Sequence, residues 1–346
     1  MYDGFRITLI LITTLYLSDL GIKRMILWAT SKGILDVPGE RSSHSIATPT
    51  GGGIVIALVT IIVYLISSIF LPSWFKFDIT SFLIASIVIA LIGWMDDLYS
   101  ISALWRFSIQ SVTAVFMIVT VGLYDEIGIY DYSISLSWLG FPITFLWIVG
   151  LINAFNFMDG IDGNAGGISI VAGIFWCLIS IYQGELSLFV LSILVVMSCF
   201  GFLMHNWHPA KIFMGDSGST FLGFTFAVIP LFMYQSTGNI KTPIVGILIV
   251  SPWIWDAIYT FLRRLFRKES VFTAHRTYMY QRLAAAGYSH SLGSSIYIAL
   301  SMLTGMLGYI YITSTASRHL LIVLCCSIVL IGQLVLVLIA EGRQHS

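Results

Sequence analysis

Apolar residues run through this chain in long blocks separated by short polar interruptions, and the blocks are of the length a bilayer requires. A hydrocarbon core of about 30 Å takes a helix of roughly 20 residues. Eleven stretches meet that description, near 5–22, 52–71, 81–95, 104–124, 139–155, 166–183, 186–204, 220–234, 243–262, 292–313 and 319–340. They are rich in Leu as well as Ile and Val, and lack the ten-residue alternation of a membrane barrel, so each predicts a helix. No internal repeat or low-complexity segment interrupts the pattern. The expected fold is an all-α polytopic membrane protein of about eleven transmembrane helices.

Composition agrees. Hydrophobic residues make up 58% of the 346 positions and charged ones 10%, with a mean hydropathy of +0.92, against about 45 to 50% apolar in a soluble domain. The net charge of zero hides an asymmetry. Counted alternately along the spans, one side collects Lys23, Arg24, Lys32, Arg41, Arg106, Lys211, Arg263, Arg264, Arg267, Lys268, Arg276, Arg282 and Arg343, and the other keeps Arg6, Lys76, Lys241 and Arg318. The positive-inside bias makes the first side cytoplasmic, with the N-terminus outside and the C-terminus inside. The first apolar stretch has no small-residue cleavage site after it and reads as a retained span. Cys177, Cys199, Cys325 and Cys326 lie inside spans without metal-ligand spacing and read as packing residues. Nothing points to nucleic acid.

Polar residues cluster in five segments of the cytoplasmic side, near 23–51, 96–103, 156–165, 205–219 and 263–291. The run NAFNFMDGIDG ends the fifth span with Asn153, Asn156, Asp159 and Asp162 three residues apart, a spacing that lines one side of a helix or 3₁₀ turn. Groups so costly in hydrocarbon should bind something, a cation and the anion it accompanies. Asp96 and Asp97 are adjacent and repel each other unless a cation or a raised pKa relieves them, and Mg²⁺ takes one or two carboxylates plus phosphate oxygens. In FMGDSGS, Asp216 precedes the eighth span, whose N-terminal amides are placed to meet an anion, unless Asp216 or Ser217 merely caps the helix. The loop DVPGERSSHSIATPTGGG carries Asp36 and a glycine turn. In the last large loop, His275, Arg276 and Arg282 alternate with Tyr278, Tyr280 and Gln281, suited to gripping a phosphate or a sugar.

The segments DVPGERSSH with TPTGGG, GWMDD, NAFNFMDGIDG, FMGDSGS, PWIWDAIYTFLRR and HRTYMYQRL, in this order, resemble the polyprenyl-phosphate N-acetylhexosamine-1-phosphate transferases (glycosyltransferase family 4). The resemblance covers nearly the whole chain, 1–346, as one integral-membrane transferase domain. It implies transfer of a sugar 1-phosphate from a UDP-N-acetylhexosamine to undecaprenyl phosphate, releasing UMP, with Mg²⁺ or Mn²⁺, at the cytoplasmic face of a bacterial inner membrane. It further implies that Asp96, Asp97 and Asp159 are catalytic and that Asp216 meets the metal. Asp36, Asn156, Asp162, Asn206, Phe213, His275, Arg276 and Arg282 would bind substrate, with Asn206, Phe213 and Asp162 around the uridine. Asp256 matches an acid of the ninth span. A homodimer is a further expectation.

Two departures bear on the branch. The lipid I-forming translocase carries three consecutive histidines where this chain has His275, Arg276 and Thr277, and a Lys after its acid pair where this chain has Ser100. Both favour the branch that initiates O-antigen or lipopolysaccharide synthesis with UDP-GlcNAc, UDP-GalNAc or their 6-deoxy relatives. The alternatives are the MurNAc-pentapeptide translocase and, in another class, a transporter. Acids gathered at one face and the lack of an inverted repeat argue against the transporter.

Overall fold

The computed structural model describes residues 2–38, 46–75, 78–129, 132–270 and 276–343. Its helices are α1 (Tyr2–Lys32), α2 (Gly53–Phe70), α3 (Thr80–Tyr99), α4 (Ala103–Thr120), α5 (Gly140–Met158), α6 (Asn164–Gln183), α7 (Leu186–Asn206), α8 (Asp216–Thr237), α9 (Thr242–Phe266), α10 (Met279–Ala285), α11 (His290–Thr313) and α12 (His319–Gly342). Every one except the short α10 belongs to a segment long and apolar enough to cross a membrane, eleven in all. The protein is thus an all-α, multi-pass membrane protein. Two small antiparallel strand pairs accompany the helices among the described residues, β1 (Leu35–Asp36) with β2 (Thr48–Pro49), and β3 (Glu126–Ile129) with β4 (Tyr132–Ser135).

α8 is the axis of the bundle. All of its most apolar window is buried, against 17% for α1 and 22% for α12, so α8 is wrapped by α2, α3, α5 and α9 while the terminal helices present their sides to lipid. In lipid, helices associate through close packing of small residues and through hydrogen bonds between them. Both devices join α1, α2 and α7. A Cβ on Gly201 would lie 2.7 Å from Ser18, the Ser18 hydroxyl donates to the Ser198 carbonyl at 2.7 Å, and the Thr60 hydroxyl reaches Ser198 Oγ at 3.1 Å. Around α8 the contacts are aromatic, with Phe155 edge-on to Trp253 at 4.0 Å between centroids and stacked on Phe226.

Several helices run into the expected loops, α3 to Tyr99, α5 to Met158 and α9 to Phe266 among them. α1 continues ten residues beyond position 22, so the first polar segment begins as helix and not as loop. The first of its charges is paired in place. Lys23 pairs with Asp19 one turn back at 2.7 Å, and His205 of α7 meets the other oxygen of Asp19 at 2.7 Å. The helix stops at Gly33, the first residue there to take a positive φ. α8 begins at Asp216, inside the expected loop.

Polar chemistry separates to the two ends of the bundle. At one end β3–β4 packs on the turn before α9, with the Gly128 N–H donating to the Ile240 carbonyl at 2.8 Å, and the hydroxyl of Tyr234 donates to Asp125. The residues of the five polar segments that are described lie at the other end.

Candidate active site

A cavity of roughly 320 Å³ opens at that second end, lined by Asp36, Asp97, Asn156, Asp159, Asp162, Asn206, Phe213 and Asp216 together with Thr50, Ser219, Gln281 and His290, among others. Eight of the twelve expected site residues therefore share one wall system. They come from four separate stretches of sequence, held together as follows.

The glycine turn docks on the FMGDSGS loop through backbone pairs: Phe213 N–H to the Pro49 carbonyl at 2.8 Å, and the N–H groups of Gly52 and Gly53 to the carbonyls of Phe213 and Met214 at 2.9 and 2.8 Å. Side chains are excluded from this contact, since a Cβ on Gly53 would fall 2.1 Å from the Gly218 Cα. Asn206 ties that loop to the acidic turn, its Oδ1 accepting from Gly163 N–H at 2.9 Å while its Nδ2 donates to the Ile212 carbonyl at 2.8 Å. Asn206 thus lines the cavity while its amide frames it. Asp256, buried in α9, accepts from the N–H groups of Met279 and Tyr280 and from the Tyr297 hydroxyl at 2.7, 3.4 and 2.6 Å. It seats α10, whose Tyr280 hydroxyl donates to the Phe157 carbonyl at 2.8 Å.

The α8 N-terminus is occupied by a protein carboxylate. Asp97 accepts from the N–H groups of Asp216 and Ser217 at 2.7 and 3.2 Å, so the expected anion at these amides is supplied from α3, and neither Asp216 nor Ser217 is the cap. Gly215, at φ 75°, makes room for it: a Cβ there would lie 2.6 Å from Asp97 Oδ1.

Arg106, at the start of α4, answers the acid crowding. Its Nη1 contacts Asp96 Oδ2 at 2.6 Å and also reaches Asp216 Oδ2. The sequence shows Arg106 only as one of thirteen basic residues, and the signal for it is its place one turn after the interruption that follows Asp96 and Asp97. A guanidinium bridging two carboxylates marks a position that a cation satisfies, and the oxygen-only donors Asp96, Asp216 and neighbouring Asp159 fit a hard divalent ion such as Mg²⁺. Asp159 sits just past the end of α5. Desolvation, then the charges of Asp216 and Asp97, push its carboxyl well above the usual range. Asp162 moves oppositely: burial pushes it up, but His290, His208 and the Ala210 N–H outweigh that and hold it below the ordinary carboxylate value.

Four expectations are redrawn. Asn153 does not line the cavity with its neighbours, because α5 is still helical there and turns its amide onto Gln110 of α4 at 2.8 Å. Asp96 is likewise not a lining residue and is engaged by Arg106. Arg282 is drawn away from the cavity: its Nε and Nη2 clamp the two carboxylate oxygens of Glu341 on α12, each at 2.6 Å. Arg276 is half-buried and also outside the lining. His275 lies outside the described residues.

With this geometry in place, comparison with known proteins identifies the class. A family model described as glycosyl transferase family 4 matches residues 79–234. A probable undecaprenyl-phosphate N-acetylglucosaminyl 1-phosphate transferase of Bacillus subtilis (strain 168) is 32% identical over 82% of this chain and 77% of its own. An undecaprenyl-phosphate alpha-N-acetylglucosaminyl 1-phosphate transferase of Escherichia coli O157:H7 is 29% identical over 82% of this chain and 76% of its own. A phospho-N-acetylmuramoyl-pentapeptide-transferase of Caldicellulosiruptor bescii is 31% identical over 66% and 72%. The chain belongs to the polyprenyl-phosphate hexosamine-1-phosphate transferase family.

Proposed function

We propose that this protein transfers an N-acetylhexosamine 1-phosphate, or its 6-deoxy counterpart, from a UDP-sugar to undecaprenyl phosphate, releasing UMP, and so initiates O-antigen or a related envelope glycan. The observation that carries the reading is the set of five carboxylates, Asp36, Asp97, Asp159, Asp162 and Asp216, facing one cavity at the end of a membrane bundle, where a lipid phosphate and a soluble nucleotide can meet.

A phosphate oxygen of the lipid attacks the β-phosphorus of the UDP-sugar, and the bond to the α-phosphate breaks to release UMP. Phosphoryl transfer of this kind needs positioning and charge stabilisation more than covalent help. The lipid phosphate monoester is already largely ionised near neutral pH, so no strong base is required, and Asp97, engaged by two amides, acts by fixing Asp216. Mg²⁺ held by Asp216 with Asp159 or Asp96 would neutralise the diphosphate. With those acids turned to a cation, Arg106, which contacts both Asp96 and Asp216, would be placed to meet a phosphate oxygen. The cavity faces the cytoplasm in this reading, because thirteen of the seventeen Lys and Arg residues fall to that side.

The test is a panel of UDP-GlcNAc, UDP-GalNAc, UDP-QuiNAc, UDP-FucNAc and UDP-MurNAc-pentapeptide, radiolabelled, with undecaprenyl phosphate and purified protein. A butanol-extractable product with one or two of the first four is expected. Turnover of the pentapeptide substrate alone would move the chain to the peptidoglycan branch, and no lipid-linked product with any of them would overturn the reading. Orientation is read by cysteine labelling in a Cys-free background: Cys at Ser270 should be shielded from an impermeant reagent in intact cells, and Cys at Ser133 reached.

A further inference from the structure

Three side chains at the rim of the cavity form a group of a different chemical character from the oxygen-only acids. Asp162 comes from the turn between α5 and α6, His208 from the loop after α7, and His290 from the first position of α11. One ligand atom from each lies within 4.8 Å of the other two. His208 Nδ1 is 2.6 Å from Asp162 Oδ2, His290 Nδ1 is 3.4 Å from Asp162 Oδ1, and the imidazole rings are tilted by 57° with centroids 5.4 Å apart. His290 Nδ1 is buried, and its 3.4 Å approach to Asp162 Oδ1 falls short of hydrogen-bond geometry. An unsatisfied buried nitrogen aimed at a carboxylate is a group short of a partner.

We propose that Asp162, His208 and His290 form a binding site for a late first-row divalent ion of the Zn²⁺ class, separate from the acid site at Asp216. Two imidazole nitrogens and one carboxylate oxygen are the borderline ligands such ions select, whereas Mg²⁺ prefers oxygen. Bonds of about 2.0 to 2.1 Å in a tetrahedral site place ligand atoms about 3.3 Å apart. The two imidazoles meet different oxygens of Asp162, His290 Nδ1 at about this distance from Oδ1 and His208 Nδ1 less than 1 Å closer than it to Oδ2, so a small turn of the carboxylate offers one oxygen to an ion between them. The second shell is partly built, with the Ala210 N–H donating to Asp162 Oδ2 at 3.1 Å and the Ser294 hydroxyl donating to the Asp162 carbonyl at 2.7 Å. Asp162 and His290 both line the cavity, so an ion held by them would be open to its contents. The ion would take Asp162 away from an incoming nucleotide sugar, making this a site of inhibition; that consequence rests on the transferase reading, while the binding itself does not.

Tag-free protein is dialysed with Zn²⁺ in excess Mg²⁺, so that oxygen-only sites are filled, and bound Zn²⁺ is counted. One tight equivalent is expected, weakened at least about tenfold in His208→Gln and in His290→Gln. His208, whose side chain is 42% exposed, is the variant that leaves folding intact, and unchanged thermal unfolding without Zn²⁺ verifies this. Co²⁺ in place of Zn²⁺ should give visible absorption of a low-coordinate N/O site that both variants lose. Absence of tight Zn²⁺ binding, or equal binding by wild type and both variants, overturns the proposal. With transfer assayed, Zn²⁺ should raise KM for the UDP-sugar and leave kcat in place, an effect reduced in His208→Gln. Zn²⁺ binding by wild type but no transfer from any UDP-sugar would sink the transferase reading alone.

Discussion

Asp97 and Asp216 are joined by a hydrogen bond in which the carboxylate of one accepts the backbone N–H of the other at 2.7 Å. The bond makes the α8 N-terminus part of the acid cluster, since its dipole is spent on Asp97 while the Asp216 side chain remains turned to the cavity and to Arg106.

Two substitutions at one position should separate the capping role of Asp97 from its charge. Asp97→Asn keeps an acceptor oxygen and should unfold within about 1 kcal/mol of wild type, whereas Asp97→Ala should lose about 0.5 to 2 kcal/mol, as other helix caps do. Both should reduce sugar-phosphate transfer by about 10² or more. Full turnover in Asp97→Ala would show that Asp216 needs no such support.

Arg106 competes with any cation for Asp96 and Asp216. Arg106→Met is therefore expected to bind Mg²⁺ more tightly than wild type while turning over more slowly, measured by titration calorimetry and by transfer assays. Weaker Mg²⁺ binding in the variant would show that Arg106 is not seated on the metal's ligands.

Asp159 supplies a pH dependence. Because its folded-state pKa lies above the unfolded value of about 3.9, the folded protein keeps a proton that the unfolded chain releases, so stability falls as pH rises from that value toward the raised one. In chelator, Asp159→Asn should remove this decline and melt higher than wild type at pH 8, with transfer reduced by about 10² or more. Mg²⁺ should raise the wild-type Tm and raise that of the variant less. A lower Tm for Asp159→Asn at pH 8 in chelator would contradict the assignment.

At the opposite end, Asp125 accepts the Tyr234 hydroxyl, and the Glu126 N–H donates to the same oxygen of Tyr234 at 3.1 Å. Asp125→Ala should cost about 1 to 3 kcal/mol of stability, the usual penalty for stranding a hydrogen-bond partner, and leave kcat/KM of the folded enzyme within twofold. A large loss of turnover would mean that chemistry is not confined to the acid cavity.

The membrane spans were legible because hydrocarbon admits few spanning structures, and apolar runs of the right length leave little choice. The site segments were legible because polar residues at span ends are rare enough to stand out. Contacts between distant segments were not. Nothing near Asp97 in sequence shows that it caps a helix 119 residues away, and nothing near Arg282 shows that Glu341 claims its guanidinium. Arg106 was hidden among charges that orient the chain, and Asn153 shares a spacing with Asn156 but meets Gln110 instead. In each case the pattern names the residue type and the fold chooses its partner.

The pair between Arg282 and Glu341 has a consequence for anyone handling this protein. Glu341 stands two residues from the last described position and five from the last residue of the sequence, and it anchors the short helix that carries Gln281 to the cavity. A purification handle fused close behind it, or a truncation that removes it, would disturb the acid cavity, although no described residue of α12 lines that cavity.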